Sequence, residues 1–99
     1  MRLTAEQCEA VRQEVAQAFG TSARIRLFGS RVDDTARGGD IDLHVEADGD
    51  PRSLLASELQ LYARLQRRLG ERRIDLVTQS RGNPPRTIDV QAHEHGVVL

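Results

Sequence analysis

Asp40, Asp42 and Asp75 are the residues whose type and placement could do chemistry. Asp40-Ile41-Asp42-Leu43-His44-Val45-Glu46 alternates strictly, so it reads as a strand. Ile41, Leu43 and Val45 then share one face, and Asp40, Asp42, His44 and Glu46 share the other. Carboxylates ~6–7 Å apart along a strand repel unless a cation lies between them. The chain has no Lys, and a hard divalent ion such as Mg²⁺ answers the need. A solvated polar sheet face is the other reading. Upstream, Gly29-Ser30 follows an apolar strand and precedes Arg31, with Arg37 nearby. Such a turn presents backbone N–H groups and a hydroxyl to phosphate. Phosphate binding next to a carboxylate pair points to nucleoside triphosphate chemistry. Asp75 lies inside the apolar run Ile74–Val77. Either it joins Asp40 and Asp42 to hold two metal ions, or it pairs with Arg72 or Arg73.

These residues need a scaffold. Thr4 and Gln7 read as a capping box. The helix they open carries Cys8, Val11, Val15, Ala18 and Phe19 at helical spacing and stops at Gly20, with Cys8 as a core thiol. Arg24–Phe28 is a first strand, and residues 31–37 allow one or two helical turns before Gly38-Gly39. After the Asp40–Glu46 strand, Asp50 and Pro51 cap and start a long helix over Arg52–Leu69. Its apolar stripe reads as Leu55, Leu59, Tyr62 and Leu69. Arg73–Thr78 is a third strand, Thr87–His95 a short last helix, and Val97-Val98-Leu99 an apolar end able to add an edge strand. The expected class is α/β, a small mixed sheet flanked by helices in the order α-β-α-β-α-β-α, forming one domain over residues 1–99.

Composition narrows the function. The 99 residues carry a net charge of −1, against a dedicated nucleic-acid binder and against direct DNA binding. No Trp is present and aromatics are 3%, so the core must be aliphatic. All basic residues are Arg, so a phosphate clamp must use guanidinium or backbone N–H groups. No apolar run approaches the ~18 residues that span a bilayer, and no signal-like segment opens the chain, so a cytoplasmic protein is expected. His93 and His95 lie ~200° apart on a helix and cannot share a metal there. His44 reads as a polar surface residue. Arg67-Arg68 and Arg72-Arg73 read as solvated ends, with a basic docking surface as the alternative.

Leu27-Phe28-Gly29-Ser30, nine intervening residues, then Asp40-Ile41-Asp42-Leu43 resembles the signature of the polymerase-beta-type nucleotidyltransferase superfamily. The short length and the ending Ala92-x-x-x-Gly96-Val97-Val98-Leu99 resemble its smallest members, the minimal nucleotidyltransferases. The resemblance implies the mixed-sheet α+β fold of that family, with nucleotide over the sheet. It implies that Gly29, Ser30 and Arg31 bind the triphosphate of ATP. Asp40, Asp42 and Asp75 would bind Mg²⁺ (two ions) and form the catalytic set. It further implies a separate helical HEPN-type partner, for which the chain is the antitoxin, with AMP passed to a partner tyrosine. The run Arg31-Val32-Asp33-Asp34 departs from the Arg-Ala-Arg-Gly of many relatives, Gly39 stands where Ser is frequent, and His44 stands where an aliphatic residue is usual. A non-catalytic partner-binding module of the same fold and transfer to a small-molecule hydroxyl are the competing functions.

Overall fold

A computed structural model describes residues 3–28, 41–70 and 73–99. Helix α1 spans Ala5–Phe19, strand β1 Arg24–Leu27, β2 Ile41–Ala47, helix α2 Pro51–Leu69, β3 Ile74–Ser80, α3 Thr87–His95 and β4 Val97–Val98. The element types and order follow the expectation. The helical turns expected over residues 31–37 lie outside the described residues.

The helix ends are set by local chemistry. Thr4 Oγ1 accepts from the Gln7 N–H at 3.0 Å, and Gln7 Oε1 accepts from the Thr4 N–H at 2.9 Å. Gly20 ends α1 at φ 95°, where a Cβ would be strained, and its N–H donates to the Ala16 carbonyl. Asp50 accepts from the Ser53 N–H at 2.9 Å, with Pro51 in the first turn of α2.

The four strands form one sheet in the order β3-β2-β1-β4. β1 runs antiparallel to β2 and to β4, and β2 runs parallel to β3, with α2 as the crossover between them. Val97 and Val98 thus complete the sheet, pairing with Leu27 and Arg26. One face of the sheet carries the aliphatic core. Val11 and Val15 of α1 and Leu61 and Leu65 of α2 pack there on Ile25, Leu27, Ile41, Leu43, Val45 and Ile74. Glu14 ties the two helices together, accepting from Arg64 Nε at 2.5 Å and Arg68 Nη1 at 2.7 Å. The Arg64 and Arg68 heads therefore serve α1.

Two expectations change. Leu54, Leu61 and Leu65 make the buried stripe of α2, while Leu55, Leu59 and Tyr62 are exposed at 53%, 64% and 43%. The helix holds two apolar stripes side by side, and contact with the sheet selects the first. Cys8 is only half-buried, because α1 turns Ala10, Val11, Glu14 and Val15 inward instead. No helix among the described residues is long and apolar enough to cross a membrane.

Candidate active site

The second face of the sheet is built in rows by strand register. Asp75, Asp42 and Phe28 form the first row, since Asp42 pairs with Asp75 and the Phe28 N–H donates to the Asp42 carbonyl at 3.1 Å. Val77, His44 and Arg26 form the second row, and Gln79, Glu46 and Arg24 the third. Register partners on adjacent strands point the same way, and adjacent strands lie ~4.8 Å apart. Two carboxylates from different parts of the sequence therefore stand side by side. Asp75 is exposed and Asp42 half-buried. Arg73, one candidate counter-ion for Asp75, forms no ion pair with it, and Arg72, the other, lies outside the described residues.

Gly29, Ser30, Arg31 and Asp40 also lie outside the described residues. Phe28 and Ile41, the described residues that flank this stretch of sequence, both lie at the Asp42 end of the face. Among the described residues no group of three or more His, Cys, Asp or Glu side chains is close enough to hold a metal ion. Asp42 and Asp75 supply two hard oxygen donors, and Asp40 is the expected third. That set of hard carboxylate oxygens fits a hard divalent cation.

The second and third rows behave differently, because α3 lies over them. His44 is fully buried, which corrects its reading as a surface residue. Its Nε2 donates to Asp89 Oδ1 of α3 at 2.9 Å. Burial pushes the His44 pKa down and outweighs the Asp89 carboxylate. His44 Nδ1 is buried with no hydrogen-bond partner. Asp89, 1% exposed, also accepts from Arg86: Oδ2 takes the backbone N–H at 2.8 Å and Nε at 2.9 Å, and Oδ1 takes Nη2 at 3.0 Å. Burial pushes the Asp89 carboxyl up, but Arg86 and His44 together hold it far below the usual carboxylate range.

In the third row Glu46 accepts from Arg26 Nη1 at 2.9 Å and Arg81 Nε at 3.0 Å. Burial raises its carboxyl and the two guanidinium groups more than reverse that. His93 of α3 bonds Gln79 across 2.9 Å and stacks edge-on against His44 at 5.8 Å. Phe28 meets His44 edge-on from the other side at 6.3 Å, so an aromatic contact separates the acidic row from the sealed ones. Asp89 escaped the sequence reading. Its available signal was an acid in the first turn of a short helix, three residues after an Arg.

Residues 13–99 match the sequence profile of the family described as polymerase beta, nucleotidyltransferase. No curated protein matches the chain significantly. The match takes in every strand, the paired Asp42 and Asp75, and α2 and α3 entire, and by it the chain belongs to the polymerase beta nucleotidyltransferase family.

Proposed function

We propose that the chain transfers AMP from ATP to a hydroxyl of a separate protein, and that this protein is a HEPN-type toxin for which the chain is the antitoxin. The general reaction rests on family membership. The observation that carries the site is the register pairing of Asp42 with Asp75. The protein acceptor rests on the resemblance to minimal nucleotidyltransferases, and the cytoplasm is the compartment this reading implies.

Asp40, Asp42 and Asp75 would hold Mg²⁺. When bound, the ions supply counter-charge for the triphosphate and lower the pKa of an attacking hydroxyl. Gly29 and Ser30 would take phosphate oxygens with backbone N–H groups and a hydroxyl, and Arg31 would add a guanidinium. Asp75, exposed on the sheet face it shares with Asp42, would meet the incoming acceptor and take up its proton. In the transfer, the acceptor oxygen bonds to the α-phosphorus as the bond to the bridging oxygen breaks. That oxygen leaves with pyrophosphate.

The test is label transfer from [α-³²P]ATP to a small helical HEPN-type protein co-expressed with this chain. Transfer is expected with Mg²⁺ and absent with EDTA or with Asp42→Asn. Calorimetry should show ATP binding in Mg²⁺ and little in EDTA. Equal binding in both would refute the metal role. Binding of the helical protein without label transfer would leave a partner-binding module, and label on a small-molecule hydroxyl instead would move the acceptor.

A further inference from the structure

The two edges of the sheet are managed differently. β4 is an edge of only two residues. β3 is an edge of seven. The Arg73 carbonyl accepts from the Ile41 N–H, and the Arg81 N–H donates to the Ala47 carbonyl. The odd-numbered residues of β3 therefore turn their backbone groups toward β2, and Ile74, Leu76, Thr78 and Ser80 turn theirs outward. The Thr78 carbonyl is taken by Arg86 Nη2 at 2.7 Å, and the Ser80 carbonyl by the Asn83 N–H at 3.1 Å. Both outward groups of Ile74 and of Leu76, and the Thr78 N–H, have no partner among the described residues.

The exposed stripe of α2 overhangs this edge. Leu55 and Glu58 line a groove of about 440 Å³ together with Thr78 and Ser80, and Thr78 Oγ1 donates to Glu58 at 2.6 Å. Leu55, Leu59 and Tyr62 follow at steps of four and three, on the flank of α2 away from the Arg64 and Arg68 contacts to α1. An open strand edge beneath a bare apolar helix flank is a docking surface of defined shape: a strand below and a helix above.

We propose that a second copy of this chain occupies it, β3 pairing antiparallel with β3 about a twofold axis. Spacing argues for this occupant. α1 and α2 pack side by side on one face of the four-stranded sheet, with α2 on the β3 side. Two strand spacings are ~10 Å, close to the 8–10 Å between packed helix axes. Joining two sheets at β3 continues that spacing, so α2 of one copy comes to rest against α2 of the other. The stripe is uncharged, so it meets its own copy without like-charge contact, as a twofold contact requires.

Register argues for it too. Placing Leu76 opposite Leu76 of the second copy pairs both outward groups of that residue and joins the Thr78 N–H to the Ile74 carbonyl of the other copy. Asp75 then stands opposite Val77. A shift one way sets Asp75 opposite its own copy, where two carboxylates repel. Shifts the other way bring the occupied Thr78 carbonyl to the middle of the pairing. The register with Leu76 on the twofold axis avoids both and leaves only the Ile74 N–H facing an occupied carbonyl.

The test uses the nucleotide-free chain, so it is independent of the transfer reaction. Sedimentation velocity across ~1 to ~200 µM should show a monomer–dimer equilibrium, weakened about tenfold or more by Leu59→Glu. Leu59 is exposed in the single chain, so circular dichroism of the variant should be unchanged. Hydrogen exchange should show the Leu76 amide protected at high concentration and released on dilution. A monomer throughout, or a dimer indifferent to Leu59→Glu, would overturn the proposal. So would a Leu76 amide protected only after a different protein is added, which would assign the edge to that protein.

Discussion

Asp42 and His44 stand two residues apart on β2, on the same face of the same sheet, in opposite surroundings. Asp42 shares its row with the exposed Asp75 carboxylate. His44 lies under α3, fully buried, hydrogen-bonded to a carboxylate that also holds Arg86. The alternation of polar residues along β2 is uniform, so the difference comes from α3, which covers two rows and stops short of the first. The same alternating pattern therefore serves an acidic row at one end of β2 and a covered network at the other. Where a helix arrives carrying its own counter-charges, the same pattern becomes internal structure.

That contrast makes predictions of graded size. Asp42→Asn should lower nucleotidyl transfer on the order of 10³-fold, measured as label incorporation, while urea unfolding stays within about 1 kcal/mol. Comparable loss of stability would mean that Asp42 is as structural as its neighbour. Asp89→Ala should do the reverse. Removing Asp89 leaves the buried His44 Nε2 without its acceptor and costs about 1–3 kcal/mol, read from the urea midpoint.

The sealed rows also set acid sensitivity. Asp89 and Glu46 are held below their ordinary pKa values in the fold. Their stabilisation is fully present above the unfolded values of about 4 and is lost as pH falls below them. Thermal melting across that window should fall steeply in the parent chain and less steeply in Asp89→Asn.

Gly96 seats the end of α3 against β1. A Cβ there would press on the Ala92 carbonyl and come within 3.1 Å of Arg26 Cβ. Gly96→Ala should cost about 1–3 kcal/mol of unfolding free energy. The smallest effect belongs to the open row. Asp75→Asn should change stability by less than about 1 kcal/mol, and raise rather than lower the melting temperature in EDTA, because it relieves repulsion with Asp42.

Much of this was legible in the sequence, for physical reasons that can be named. Thr4, Gln7, Asp50, Pro51, Gly20 and Gly70 act on backbone groups a few residues away, so the helix ends could be read locally. Strict alternation marked β2, and the lone acid in Ile74–Val77 marked the residue that pairs with Asp42. What escaped is non-local. His44 meets Asp89 across 45 residues of sequence, and neither residue carries a local sign of the other. α2 failed for a related reason. Leu54, Leu61 and Leu65 and the neighbouring Leu55, Leu59 and Tyr62 both satisfy helical spacing, and only the position of the sheet decides between them.

Tyr62 has a practical consequence. The chain holds no Trp and a single Tyr, and that residue sits on the exposed flank of α2 at 43% exposure. Tyrosine emission from the chain therefore originates at one known place. It is a built-in optical label for whatever approaches that flank: quencher access and anisotropy will report on the helix surface without any dye or substitution. Because the ring is already half in water, the same signal changes little when the core melts, so tyrosine fluorescence separates assembly from unfolding in a single cuvette.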